Sequence, residues 1–233
     1  MPQETNYDTF AEAYSAENET SLLNGYYERP AMLNLAGDVR NHRILDAGCG
    51  SGPLAAALGE RGATVTGFDS SEAMVNLARK RLGEGAELLV ADLGRPLPFA
   101  DDTFDDVVAS LVFHYLEDWV GPLTEMRRVL RPEGRLIMSV NHPILYPWTN
   151  PGTDYFKPVK YSDEHTFNGQ PATLTYWHRP LHAMTDAFAK AGFQIEVLSE
   201  PPYSTDAPPD IVPAQFKDRE SFLSFIFFVL RAK

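Results

Sequence analysis

The stretch "ILDAGCGSG", Ile44 to Gly52, sets one acid and three glycines at a spacing suited to an adenosine-containing ligand. A dinucleotide site reads Gly-x-Gly-x-x-Gly and rests its pyrophosphate on free N–H groups at the start of the next helix. Here the glycines are Gly48, Gly50 and Gly52, so the last gap is one residue short. Pro53 follows at the expected helix start and removes one N–H from it. Asp46, two residues before the first glycine, would repel a pyrophosphate, yet it suits an ammonium or a sulfonium. All three details disfavour a nicotinamide-dependent oxidoreductase and favour S-adenosylmethionine, which carries no phosphate.

Two further acids extend this pocket. Asp69 ends a second strand pattern at the distance where a carboxylate accepts both ribose hydroxyls, although nicotinamide cofactors use an equivalent acid. Asp92, in "VADL", would reach the adenine amino group, with the backbone of Leu93 against the ring nitrogen. Three carboxylates in one pocket are tolerable only with a cationic, amine-bearing ligand. Methyl transfer to a hydroxyl or carbon acid gains from a general base. His114 in "LVFHYL" and His142 in "SVNHP" follow strand patterns and are expected as catalytic bases; His178 in "YWHRP" has a similar claim. The competing reading of each is a loop histidine bonded only to backbone or water.

The elements that must hold these residues follow from hydrophobic period. From residue 43 to 142, strand-length apolar runs alternate with helical patterns, which predicts a parallel α/β sheet. Strands are expected at Arg43 to Ala47, Val65 to Phe68, Leu88 to Ala91, Asp106 to Ser110 and Arg135 to Val140. A helix capped by Ser70 or Ser71 shows Met74, Leu77 and Ala78 on one face, and another runs from about Pro122 to before Pro132. Residues 1 to 40 hold an accessory helix with Tyr7, Phe10 and Tyr14 on one face, read either as edge packing or as a lid. Residues 143 to 180 break the rhythm as an inserted hairpin turning at Asn168-Gly169, with eight aromatics in 38 positions. Tyr146, Trp148, Trp177 and His178 are its expected acceptor-binding residues. Leu181 to Ala191 then reads as a helix, Gln194 to Leu198 as a strand, and "SFLSFIFFVL" as a strand buried on both faces.

With 233 residues and 44% hydrophobic content, the chain can bury one sizeable core. Its formal charge of −12 opposes nucleic-acid binding, which draws on Lys and Arg. Arg79, Lys80 and Arg81 are a candidate local basic patch, and the competing reading is a last helical turn whose charges match the helix dipole. Cys49 is the only cysteine, so no intramolecular disulfide or thiolate cluster forms, which fits a reducing cytoplasm. The start "MPQETNYDTF" lacks the features of a signal peptide, and "FIFFVL" is far short of the ~20 residues of a membrane span.

The stretches "ILDAGCGSG", "VTGFDSS", "ADLGRPLPFADDTFDDVVAS" and "LRPEGRLIMS" together resemble the class I S-adenosylmethionine-dependent methyltransferases, of the small-molecule type found in ubiquinone and menaquinone biosynthesis. The resemblance implies a Rossmann-like seven-stranded α/β sheet, order 3-2-1-4-5-7-6, last strand antiparallel, with N-terminal helices and the hairpin as a cap. It also implies roles: Asp46, Gly48 and Gly50 for the methionine part, Asp69 for ribose, Asp92 for adenine, and Ser110 and Leu111 after strand four. Tyr14, Ser70 and Met74 complete the expected cofactor set. One domain is expected, with a lid at 1–40, a cofactor core at 43–142, an acceptor cap at 143–180 and a closing segment at 181–233. Residues after 142 match loosely, as a region specifying the acceptor would. Adenine or glutamine methylation would call for an Asn/Asp-Pro-Pro-aromatic loop where "SLVFHY" stands; the "EPPY" at Glu200 to Tyr203 follows a much later strand. RNA cytosine methylation needs a nucleophilic cysteine, and Cys49 belongs to the glycine loop. A small-molecule acceptor is therefore expected, with no nucleic acid or membrane partner. A non-catalytic protein binding S-adenosylmethionine is the rival reading.

Overall fold

The computed structural model describes residues 5–217, 219 and 221–233. A 3-10 turn at Tyr7–Thr9 leads into α1 (Ala11–Thr20), a π-type turn (Asn24–Glu28) and α2 (Arg29–Ala36). The alternating core then runs β1 (Arg43–Ala47), α3 (Pro53–Glu60), β2 (Thr64–Asp69), α4 (Glu72–Leu82), β3 (Glu87–Val90), β4 (Phe104–Ser110), α5 (Val120–Val129) and β5 (Leu130–Asn141). After it come α6 (Leu145–Thr149), the hairpin β6 (Val159–Phe167) and β7 (Gln170–His178), α7 (Leu181–Lys190), β8 (Phe193–Ser199) and β9 (Phe225–Ala232).

The main sheet has the order β3-β2-β1-β4-β5-β9-β8, which is the expected order once the two hairpin strands are left out of the count. Its first five strands are parallel, and β9 is antiparallel to both β5 and β8. Strand β9 shows why the last apolar run belongs in the middle: Phe225, Phe227 and Val229 pack on one side with α2 and α3, while Ile226, Phe228 and Leu230 pack on the other with α5 and α7. Period-two alternation thus feeds two cores at once.

Strand β5 starts earlier than its apolar pattern predicts. It runs through Arg131-Pro132-Glu133-Gly134 with a register shift against β4. Glu133 adopts φ 64°, and a Cβ at Gly134 would lie 2.9 Å from the Arg131 and Asp105 carbonyl oxygens, so only glycine lets the chain pass. On β4, the buried carboxylate of Asp106 accepts from Arg135 Nε (2.7 Å) and Nη2 (2.9 Å) of the neighbouring β5, and His42 Nδ1 lies 2.7 Å from it.

The hairpin turns at Asn168 and Gly169, with φ 46° and 82°, the paired positive values of a two-residue hairpin turn. Its tip meets the N-terminal segment: the Phe167 ring stacks on Phe10 at 5.7 Å and meets Tyr14 edge-on at 5.1 Å. The aromatic face expected at Tyr7, Phe10 and Tyr14 is therefore satisfied by the hairpin, not by the sheet. No described helix is long and apolar enough to cross a membrane.

Candidate functional site

Strand β1 delivers Asp46 into the interior, 1% exposed, and the glycine loop turns directly after it. Gly48 and Cys49 both donate their N–H groups to the Phe68 carbonyl oxygen at 2.9 Å, which folds the loop over the end of β2. The loop needs its glycines for distinct reasons. Gly48 has φ 76° and no room, since a Cβ there would lie 2.6 Å from Val112 Cγ2; Gly50 has φ 54° and opens onto free space. Gly67 on β2 leaves room of a different kind, because a Cβ there would meet the Cys49 Cβ and Sγ at 3.2 Å. Pro53 sits at the start of α3, as expected.

At the end of β2 both oxygens of Asp69 are engaged: Oδ2 accepts from Gly50 N–H and Oδ1 from Ser71 N–H, each at 2.9 Å. Ser71, rather than Ser70, caps α4 by accepting from Met74 N–H at 3.1 Å. The Ser71 hydroxyl donates in turn to Asp8, which also accepts from Ala73 N–H, so the N-terminal turn is fastened to the head of α4. Asp92 accepts from Gly94 N–H at 2.8 Å.

These groups border a cavity of about 600 Å³. Tyr14, Asp46, Gly48, Gly50, Asp69, Ser70, Met74, Asp92, Leu93, Ser110 and Leu111 all line it. Among the expected acceptor residues only Trp177 does, joined by Lys160 and Thr175 of the hairpin and by Tyr7 and Tyr115. The Tyr7 and Tyr115 hydroxyls share a hydrogen bond of 2.6 Å, and burial, first of all, holds both phenols well above their ordinary range.

The electrostatics are those of an anionic chamber. Burial pushes the Asp46 carboxyl up to about 8, with the charges of Glu28 and Asp69 adding to the effect. Neither Asp46 oxygen makes a hydrogen bond of ordinary geometry among the described residues; the nearby Ala55 N–H is the last-ranked influence and acts in the opposite direction. Burial also raises Glu28 and Asp69. An unpartnered carboxylate beside two others fits a ligand that brings its own positive charge and has no place for a pyrophosphate. S-adenosylmethionine, with an ammonium and a sulfonium, fits this lining.

The expected bases stand elsewhere. His142 lies outside the cavity lining, and both of its ring nitrogens are committed: Nδ1 accepts from Ile144 N–H (3.2 Å), so Nε2 carries the proton and donates to Glu200 at 2.6 Å. His114 also lies outside the lining. Its Nδ1 accepts from Asn141 N–H at 3.1 Å and burial pushes it down to about 3, so the ring is neutral, with a buried Nε2 that has no partner among the described residues. His178 donates Nε2–H to the Tyr155 carbonyl at 2.8 Å. Tyr146 stacks between Tyr161 and His178, and Trp148 is 68% exposed; neither lines the cavity. Lys160, Thr175 and Tyr115 were not anticipated, and neither were the charged lining residues Glu28 and Arg29. Their signal was a charged pair inside the otherwise apolar "GYYERPAML".

Comparison with known proteins agrees with this geometry. A methyltransferase-domain family model matches residues 45–138. The demethylmenaquinone methyltransferase of Clavibacter sepedonicus is 32% identical over 184 residues, covering 77% of this chain and 75% of that protein. The chain belongs to the class I S-adenosylmethionine-dependent methyltransferases. A ubiquinone/menaquinone biosynthesis C-methyltransferase of Desulfotalea psychrophila is 30% identical, covering 80% of each chain. Among solved structures, an S-adenosylmethionine-dependent methyltransferase from Mesorhizobium loti superposes with a TM-score of 0.66 at 27% identity, covering 87% of this methyltransferase and 96% of the other chain. The protein is thus an enzyme whose cofactor is S-adenosylmethionine, and the non-catalytic reading falls away.

Proposed function

We propose that this methyltransferase acts on a small, planar acceptor held beneath the aromatic hairpin, with Asp46, Asp69 and Asp92 holding the methionine, ribose and adenine parts of the cofactor. The supporting observation is the shared cavity: Lys160, Thr175 and Trp177 from the hairpin and Tyr7 and Tyr14 from the N-terminal segment border the same space as the cofactor residues. In this reading residues 1–40 are the lid, 43–142 the cofactor core, 143–180 the acceptor cap and 181–233 the closing segment of one domain. The names of the quinone-pathway relatives support a planar acceptor.

When bound, the cofactor supplies a methyl group already activated on sulfur. The chain's own contribution is alignment and exclusion of water, which in the best intramolecular cases is worth roughly 7 to 11 kcal/mol. The three histidines do not offer a base at the cavity wall, and the Tyr7–Tyr115 pair stays protonated at neutral pH. An acceptor with an already acidic phenol, enol or carboxylic acid therefore suits the site better than an unactivated alcohol.

The test is turnover to S-adenosylhomocysteine with a panel of naphthoquinols, phenols and aromatic carboxylic acids, beside transfer RNA and a protein extract. Turnover with planar small molecules supports the reading; turnover with the macromolecules alone would sink it.

A further inference from the structure

One buried acid at the cavity wall has so far entered only through its effect on Asp46. Glu28, at the end of the π-type turn, is 3% exposed. Its Oε1 accepts from the hydroxyls of Ser110 (2.7 Å) and Ser139 (2.6 Å), one at the end of β4 and the other on β5. Ser139 Oγ in turn accepts from the N–H of Leu111 at 3.0 Å. Leu111 carries φ 50°, a left-handed conformation that a leucine keeps only where its surroundings hold it. Glu28 thus reaches from the N-terminal segment to the strained turn that borders the cofactor cavity.

The Glu28 carboxyl also lines that cavity; burial raises it, and a ligand that brings a positive charge favours its ionised form. Glu28 makes no ion pair among the described residues. The neighbouring Arg29 turns its guanidinium to Asn18, at 2.7 Å from Oδ1 and 3.1 Å from the carbonyl, and to Glu19 at 3.6 Å. Asp46 likewise makes no ion pair among the described residues. Arg29 offsets the Glu28 charge only from a distance, and two buried carboxylates that make no ion pair of their own favour a ligand that brings a positive charge.

We propose that Glu28 is the positioning residue through which this pocket favours the positively charged cofactor over its neutral thioether product, while its serine contacts hold the turn after β4. S-adenosylhomocysteine differs from S-adenosylmethionine by a methyl group and one positive charge, so attraction to Glu28 is present before transfer and absent after it. The pocket then releases its product more readily than shape alone would allow. This inference rests on the cofactor, not on the identity of the acceptor.

Glu28→Gln separates the two roles, because the amide oxygen still accepts from both serines while the charge is gone. Calorimetric titration of wild type and variant with S-adenosylmethionine and S-adenosylhomocysteine should show at least a tenfold loss for the first and less than threefold for the second. Ser139→Ala keeps the charge and should weaken both ligands by the same factor. Wild type should also bind sinefungin, which carries an ammonium group where the sulfonium stands, more tightly than S-adenosylhomocysteine; this needs no variant to fold. Equal losses of both ligands in Glu28→Gln, no loss of either, or equal binding of sinefungin and S-adenosylhomocysteine would overturn the proposal. Wild type binding none of the three ligands would instead remove the cofactor assignment itself.

Discussion

Asp46 is a carboxyl whose ordinary value near 3.8 is pushed up to about 8 by burial, then by Glu28 and Asp69. The folded protein therefore holds this proton more tightly than the unfolded chain, and the stability so gained is present at low pH and lost as pH rises through 8. A cationic ligand favours the ionised form, so binding below pH 8 releases a proton. The affinity for S-adenosylmethionine should rise between pH 6 and 8 and then level off. Calorimetry in buffers of different ionisation enthalpy reads the released proton directly, and Asp46→Asn should flatten the profile. Asp69 is held by the Gly50 and Ser71 amides, so Asp69→Ala should weaken cofactor binding at least tenfold, and an unchanged affinity would remove it from the ribose site. At this scale the places of Asp46, Asp69 and Asp92 on the cavity wall were legible, because each acid ends or follows a strand pattern. The histidines were not: sequence shows His142 after a strand, but not Glu200, 58 positions later, accepting its hydrogen bond.

The hairpin and the N-terminal segment close on one another through a shared aromatic cluster and several hydrogen bonds. Besides the Phe10–Phe167 stack, Asn168 N–H donates to Glu17 at 2.9 Å and the Gln170 amide to the Thr9 carbonyl at 2.7 Å. Phe167→Ala removes the ring on which Phe10 and Tyr14 rest. Amide exchange should then speed up in residues 5–20 and 159–178 while the seven-stranded sheet keeps its protection, and affinity for S-adenosylhomocysteine should stay within threefold. Loss of protection across the sheet would show that the cap is part of the main cooperative unit. The Asn-Gly turn announced this hairpin, and its aromatic content announced a packed face. Which aromatics would face the cavity was not legible, because Trp148 and Trp177 look alike in sequence and differ only in what the fold brings against them.

Across the whole molecule, the central sheet was readable because its strands obey simple periods, whereas the long course of β5 through Pro132 was hidden by a proline and a glycine that read as a break. The buried Asp106–Arg135 pair was equally hidden, since its partners lie on neighbouring strands. Removing one partner of such a pair costs about 3–5 kcal/mol. Asp106→Ala should therefore lower stability by that order in denaturant titration while leaving cofactor affinity unchanged, as the pair lies outside the cavity lining. The space that Gly67 leaves for Cys49 has a consequence for kinetics. The single thiol is buried, and its acidity is suppressed by burial and then by Asp46 and Asp69, so an alkylating reagent finds almost no thiolate in the closed protein. Labelling of Cys49 can proceed only as fast as the glycine loop opens, which makes the sulfur a built-in stopwatch for loop motion. S-adenosylhomocysteine should slow that clock in proportion to its occupancy, with no acceptor needed and no residue changed.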